Sequence, residues 1–169
     1  MLYELCSTFA EIATFLKPDA CDARQNAIYG IGVVAKFLDT ATFTSLMPNS
    51  LKAIDYLLSD PEAQSEEHLA VTENSYITLG FLSLLHSKDP AQITKFLDNL
   101  PLQGDEEAQE GHEFLFEQIL LNNGALLTAE MLPKVKTTLE KIESQRTEDN
   151  LNEAGVEKMT QAIEKLKAM

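Results

Sequence analysis

Basic residues are scarce in this chain of 169 residues, in which 13 lysines and arginines stand against 27 aspartates and glutamates, a net charge of −14. The imbalance is greatest between residues 60 and 120, where thirteen acidic residues accompany only Lys88 and Lys95. Nucleic acid is an unfavourable partner, because phosphate binding needs a basic surface. An acidic surface attracts basic proteins. A surface that simply keeps a helical protein dissolved explains the same composition, so both interpretations stay open.

Long apolar runs are also missing. No stretch of 18 or more apolar residues occurs, so we expect no membrane span and no membrane partner. The first residues, MLYEL, lack the basic region that begins a secretory signal. Cysteine is rare, since Cys6 and Cys21 are the only two and have no CxxC spacing. This usage predicts reduced, partly buried thiols in an intracellular protein.

Motifs for catalysis and cofactor binding are absent from the sequence. The pair Gly30 and Gly32 lacks the third glycine and the preceding strand of a phosphate-binding loop. The three histidines, His68, His86 and His112, are scattered, and no HExxH motif occurs. We therefore predict no catalytic residue, no cofactor and no metal site, and we do not expect an enzyme.

Two local patterns resemble a reactive or metal-binding site, but a structural explanation is favoured for each. Cys21 lies at a predicted helix start, where a thiol can be activated, but no histidine lies in its segment, so a structural thiol is favoured. Glu110, Glu113 and Glu117 share one helix face. A carboxylate metal site in a helical bundle needs Glu-x-x-His motifs on facing helices, and none occurs. A solvated acidic face is therefore the favoured interpretation.

Strand signals are missing too, because no segment alternates polar and β-branched residues. Apolar residues recur instead at the spacing of helices, so the predicted fold class is all-α. The predicted helices form four hairpins, with approximate repeats at residues 1–38, 41–86, 90–121 and 128–169. The helices themselves span residues 2–16, 22–38, 41–58, 66–86, 90–100, 105–121, 128–143 and 150–168.

An internal repeat relates two of these helices. Residues 24–32, RQNAIYGIG, return in altered form as residues 72–80, TENSYITLG, and the offset is 48 positions. A helix pair recurring at this interval is typical of an α-solenoid of the HEAT or armadillo type, which is usually a binding scaffold. We predict one solenoid domain over residues 1–169. Gly30 and Gly32 lie inside a helix, where each costs about 1 kcal/mol relative to alanine, so close helix approach is their favoured explanation.

Polar residues on the second helix of each pair are the candidates for partner binding, because second helices line the concave face of such arrays. Asn26 and Asn74 occupy matched positions and could bind the main chain of an extended ligand. Hydrogen bonding within the repeat is the favoured alternative, since a buried amide must find a partner. The candidate partner-binding residues are Gln25, Asn26, Glu66, Glu67, Glu73 and Asn74.

Three motifs resemble one known family. Residues 23–35, ARQNAIYGIGVVA, resemble the "RQ-A-YG-GV-A" helix near the C-terminal end of importin-beta-type nuclear transport receptors, most closely the importin-five branch. Residues 72–80 resemble the "TEN-x4-G" helix of the next repeat, and residues 99–108, NLPLQGDEEA, resemble the "LPL…D-EEA" segment that follows. The motifs occur in the family's order over residues 24–121, and the weaker similarity of residues 131–135 extends it. Residues 144–169 match poorly.

The resemblance implies the C-terminal part of a larger HEAT solenoid that carries basic cargo proteins through nuclear pores. It implies localisation in the cytoplasm and nucleus and at the pore in transit, with nucleoporins as further partners. The family's main surface for the GTPase Ran lies in N-terminal repeats outside this chain, so no residue here inherits Ran binding. A structural end-cap without a ligand role and a HEAT-repeat adaptor outside transport are the alternatives.

Missing repeats would leave an apolar flank uncovered at the N-terminal end. We expect Leu2, Leu5, Phe9 and Ile12 on the first helix to include residues of this flank. Dimerisation of the chain through its exposed N-terminal helices follows as an expectation.

Overall fold

The computed structural model describes residues 2–15 and 20–169 and, within them, is entirely helical without a strand. The all-α prediction is confirmed. None of the helices in the described ranges combines the length and hydropathy that a membrane span requires. The helices are α1 (Leu2–Phe15), α2 (Cys21–Phe37), α3 (Thr40–Phe43), α4 (Met47–Leu58), α5 (Leu69–Phe81), α6 (Pro90–Asp98), α7 (Asp105–Leu120), α8 (Leu132–Gln145) and α9 (Glu153–Lys167), with a π-helical segment (Leu82–Ser87) directly after α5.

The chain forms two compact units, Met1–Ser87 and Lys88–Met169. In the first unit α1 packs on α2 and α4 packs on α5, while α1 also contacts α4 and α2 contacts α5. Two hairpins thus lie side by side, first helix against first helix and second against second. In the second unit α6 contacts α8, α7 contacts α9, and α8 packs on α9. The superhelical arrangement of all four hairpins stays a prediction.

Helix boundaries differ from the predicted ones mainly in the second hairpin. The predicted helix 41–58 is in fact the short α3 and the longer α4, because Pro48 occupies the first turn of α4, where its missing N–H needs no partner. The predicted helix 66–86 begins only at Leu69 and changes to π-helix at Leu82. Residues 16–19, which include the predicted end of the first helix at residue 16 and Pro18 after it, lie outside the described part of the chain.

Helix ends in both units carry side-chain caps where the sequence offers aspartate or asparagine. Asp39 accepts a hydrogen bond from the Thr42 N–H, and Asp89 accepts one from the Ala91 N–H. Asn152 accepts one from the Gly155 N–H at the start of α9. Each cap satisfies one N–H of a helix start.

Close approach of α2 and α5 explains Gly32, as predicted. A methyl group on Gly32 would lie 2.8 Å from the Thr78 Oγ1 and 3.1 Å from the Phe81 ring. The Thr78 hydroxyl uses the same approach to donate a hydrogen bond to the Ile28 carbonyl oxygen at 3.0 Å. A methyl group on Gly30 would lie 2.5 Å from the Phe9 ring, so this glycine likewise permits α1 to approach α2.

Substitution of Gly32 by alanine should therefore destabilise the first unit. We expect a loss of about 2 kcal/mol, because the overpacked methyl group displaces α5 and this outweighs the gain in helix propensity. All four tyrosines of the chain lie within residues 1–87, so urea unfolding followed by tyrosine fluorescence reports on this unit. Gly124→Ala in the second unit is the control for unit specificity: its methyl group would meet no atom within 4 Å, and the unfolding that tyrosine fluorescence reports should not change. Equal stabilities of Gly32→Ala and the wild type would contradict close packing.

The π-helical segment after α5 positions His86. Its Nε2 donates a hydrogen bond to the Ala35 carbonyl oxygen at 2.8 Å, near the end of α2, and its ring stacks on Phe43 with centroids 4.6 Å apart. The hydrogen bond satisfies one of the terminal carbonyl groups of α2.

His112 joins three segments of the second unit and is fully buried. Its Nε2 accepts a hydrogen bond from the Leu102 N–H at 3.1 Å, and its Nδ1 lies 3.1 Å from the Asn150 carbonyl oxygen. A backbone N–H can only donate and a backbone carbonyl can only accept, so the proton must lie on Nδ1 and the ring must be neutral. Burial lowers the pKa of His112, and its hydrogen bond to Asn150 opposes that effect only in part.

The predicted apolar flank on α1 is partly exposed. Leu2 and Leu5 are 40% and 41% exposed, whereas Phe9 and Ile12 are half-buried. The flank is therefore apolar and accessible at its N-terminal end, as the sequence predicts. Dimerisation of the chain through its N-terminal helices stays a prediction.

Candidate functional site

The six candidate residues do not share one surface. Glu66 and Glu67 are exposed, but they lie in the turns before α5 and not on a helix, so their predicted position was wrong. The helix starts later because the residues between Asp60 and His68 form successive turns. Glu73 and Asn74 are on α5, as predicted, and are only 3% exposed. On α2, Gln25 is half-buried and Asn26 exposed.

Both asparagines hydrogen-bond within their own helices. The Asn26 Nδ2 donates to the Asp22 carbonyl oxygen at 2.7 Å, and the Asn74 Nδ2 donates to the Ala70 carbonyl oxygen at 2.9 Å. The bonding is equivalent at the matched positions, but the burial differs. The bonds favour the local role that the sequence already favoured over capture of a ligand main chain.

The most distinctive polar feature of the first unit is the segment of residues 60–68, which we call the acidic loop. Its carboxylates belong to Asp60, Glu62, Glu66 and Glu67, and the last three are exposed. The whole stretch between Lys52 and Lys88 contains six acidic residues and no lysine or arginine. The side chains of Glu62, Ser65, Glu66 and Glu67 line a surface hollow of about 450 Å³. The hollow therefore presents negative charge without a cation from the loop itself.

The acidic loop is held by its own hydrogen bonds. The Asp60 side chain accepts a hydrogen bond from the Glu62 N–H at 3.0 Å, and further turns close at Ala63, Ser65 and His68. Two residues anchor it to the interior: Ala63 and His68 are buried. The Ala63 carbonyl oxygen accepts a hydrogen bond of 2.6 Å from the Thr72 hydroxyl of α5. The exposed glutamates thus extend from an anchored backbone.

Arg24 lies beneath the acidic loop and is 1% exposed. Its guanidinium is 3.5 Å from the Asp60 carboxylate and 5.6 Å from the centre of the Tyr56 ring. Within the described residues its Nε has no hydrogen-bond partner. Sequence reasoning used Arg24 only as part of a motif and missed this position. The available signal was that Arg24 occurs in a stretch of α2 whose neighbours Ala27, Ile28 and Ile31 form the buried stripe.

Cys21 shows the electrostatic effect of the loop. Burial raises the pKa of the Cys21 thiol, the charges of Glu67 and Asp22 raise it further, and Arg24 opposes them. A raised pKa keeps the sulfur protonated, which is the opposite of what an activated nucleophile needs. Burial also raises the pKa of Cys6, which is buried 3.8 Å from the Ser50 hydroxyl. Both cysteines are free and at least partly buried, as predicted.

In the second unit the acidic face of α7 is paired with lysine and is not simply solvated. The Lys158 ammonium of α9 lies 2.6 Å from carboxylate oxygens of both Glu113 and Glu117. These hydrogen bonds raise the pKa of Lys158. Lys134 of α8 likewise pairs with Asp98 of α6. Three of the acidic residues in the window 60–120 therefore pair with lysines outside it, which a count along the sequence overlooked.

The remaining ionisable residues give no second candidate. No group of three or more histidine, cysteine or carboxylate side chains in residues 2–15 and 20–169 is placed to hold a metal ion. His68 hydrogen-bonds to Ser65 at 3.0 Å, and His86 and His112 bind backbone groups as described above. The histidines in this part of the chain contribute to structure.

Comparison of the chain with protein-family models, with curated proteins and with solved structures found no match.

Proposed function

We propose that the chain is a protein-binding scaffold of the HEAT-repeat type and that its acidic loop receives a basic segment of a partner protein. The observation that carries the proposal is the set of outward-facing carboxylates of Glu62, Glu66 and Glu67 around one hollow. Complementary charge steers association and suppresses wrong partners more than it adds affinity. The buried anchors keep the loop in shape before a partner arrives, so little ordering entropy opposes binding.

Importin-type transport is the finer proposal within this function. It is supported by the three motifs over residues 24–121 and by the side-by-side packing of hairpins within each unit. On this proposal the basic segment belongs to a nuclear cargo protein. Import of a fluorescent basic cargo into permeabilised cells, with and without the purified protein, tests it. Peptide binding without any stimulation of import would retain the scaffold and reject the transport role.

Charge reversal in the acidic loop should weaken binding of a basic peptide. We expect the double variant Glu66→Lys/Glu67→Lys to lose about 10-fold or more in affinity for a labelled lysine- and arginine-rich peptide, measured by fluorescence anisotropy at low salt. The wild-type affinity should itself fall when the ionic strength rises from about 0.05 M to about 0.5 M.

The matched control for this experiment is Glu140→Lys/Glu143→Lys. Both residues are exposed on α8 in the second unit, and the change in net charge is identical. If both double variants weaken the peptide equally, the effect is one of overall charge and the acidic loop is not the site. Unchanged affinity in the loop variant would favour the end-cap alternative.

A further inference from the structure

Three residues on the exposed side of α2 have a symmetric arrangement of charge. Asp22, Tyr29 and Lys36 follow one another at intervals of seven residues, and all three are exposed. Seven residues are close to two helical turns, so successive members drift by only about 20° and lie on nearly one line. The line begins with a carboxylate, has an aromatic ring at its centre, and ends with an ammonium group.

Apolar side chains lie beside this line. Tyr29 is 44% exposed, Phe37 is 78% exposed, and the half-buried Val33 lies between them on the same side of α2. The Lys36 ammonium lies 4.7 Å from the centre of the Phe81 ring on the neighbouring α5. Tyr29 and Phe37 are each one helical turn from Val33, on opposite sides of it. Two exposed aromatic residues this close together are typical of a surface that contacts another protein.

We propose that two copies of the chain associate through this face of α2, with the two helices antiparallel about a two-fold axis at Tyr29. Asp22 and Lys36 are each about 10 Å along the helix from Tyr29, in opposite directions. An antiparallel pair therefore places Asp22 of one copy opposite Lys36 of the other, and the same contact forms at both ends. The two tyrosines meet at the axis with Val33 beside them, and Phe37 lies next to Lys36 at each end.

A second copy fits this face because the face is complementary to itself. A two-fold interface brings residue i against residue j and residue j against residue i, so the opposite charges must lie at equal distances from the axis, as they do here. A partner of uniform charge would meet a like charge at one end of the line. Each copy carries a net charge of −14, so a face with one positive and one negative end reduces the repulsion between two copies.

The interface is small, and a weak dimer with a dissociation constant of about 10–100 µM is expected. Sedimentation velocity over a concentration series measures it. Asp22→Lys alone and Lys36→Asp alone each bring like charges together at both ends, so each should weaken the dimer about 10-fold or more. The double variant Asp22→Lys/Lys36→Asp should dimerise like the wild type. An equimolar mixture of the two single variants should form a heterodimer, because their charges again complement each other.

The apolar centre has its own variant. Tyr29→Glu brings two carboxylates to the axis and should weaken the dimer about 100-fold. Leu121→Glu is the control, because Leu121 is a 73% exposed apolar residue in the second unit and should leave the dimer unchanged. Far-UV circular dichroism checks that every variant is folded. If Tyr29→Glu is not folded, Phe37→Glu takes its place as the apolar variant. A wild-type chain that stays monomeric up to about 1 mM overturns the proposal. A dimer that Asp22→Lys and Tyr29→Glu leave intact overturns it as well.

Discussion

Replacement of His112 by alanine is expected to destabilise the second unit by about 4 kcal/mol. The side chain is fully buried, and its loss leaves both a cavity and two unsatisfied backbone groups, the Leu102 N–H and the Asn150 carbonyl. Hydrogen exchange measured by mass spectrometry on peptides from residues 88–169 detects the change in this unit alone. A variant whose exchange around Leu102 and around Asn150 matches that of the wild type would show that His112 does not hold these two segments.

The same residue should make stability depend on pH in a defined direction. The pKa of His112 is lowered in the folded state from the ordinary value of 6.5, so the unfolded chain takes up the proton first as the pH falls. Stability is therefore fully present above about pH 6.5 and declines as the pH drops toward the folded pKa, by at most about 1.4 kcal/mol per pH unit.

A variant that cannot titrate separates this effect from that of the carboxylates. Glutamine offers one acceptor and one donor, as the neutral ring does, so His112→Gln should keep a folded unit and lose this part of the pH dependence. The measurement is the difference between wild type and variant in unfolding free energy at pH 7.5 and at pH 5.5. Identical pH dependence in both proteins would contradict the role assigned to the ring.

Loss of Asp60 is expected to destabilise the first unit by about 3 kcal/mol, as measured by urea unfolding with tyrosine fluorescence. The reason is that Arg24 would remain buried without its counter-charge. Asp60→Ala also removes the acceptor of the Glu62 N–H, whereas Asp60→Asn can keep that hydrogen bond and isolates the loss of charge. We expect Asp60→Asn to lose about 2 kcal/mol.

A double variant distinguishes the ion pair from the rest of the loop. Arg24→Met keeps most of the buried volume and removes the charge, and it should lose only about 1 kcal/mol. Once Arg24 is replaced, Asp60→Asn should have little further effect, because the pair is already gone. Strictly additive losses in the double variant would mean that the two residues act independently.

The sequence predicted which segments are helical better than it predicted the residue at which each helix begins. Periodicity predicts α2 to within one residue at each end, because this signal is local and survives in the packed protein. The turns of residues 66–68 were mistaken for helix, because two adjacent glutamates fit a first helical turn as well as they fit this loop.

Burial was the part of the candidate site that the sequence could not supply. Glu73 and Asn74 carry the same polar groups as Glu66 and Asn26, yet packing on α2 buries only the α5 pair. The positions of Arg24 and Lys158 depend on acidic partners 36 and 41 to 45 residues away in the chain. Such pairings depend on which helices pack together. The short windows of sequence used to detect periodicity do not contain both partners.

The π-helical segment has a consequence for how related chains should be aligned. An i→i+5 pattern places one more residue in each hydrogen-bonded turn than an α-helix does, so side chains after Phe81 are out of phase with those before it. A profile that assumes constant periodicity through residues 69–87 would assign His86 to the wrong side of the helix. Repeats that lack this local unwinding should match the present one only after a one-residue gap between Phe81 and His86.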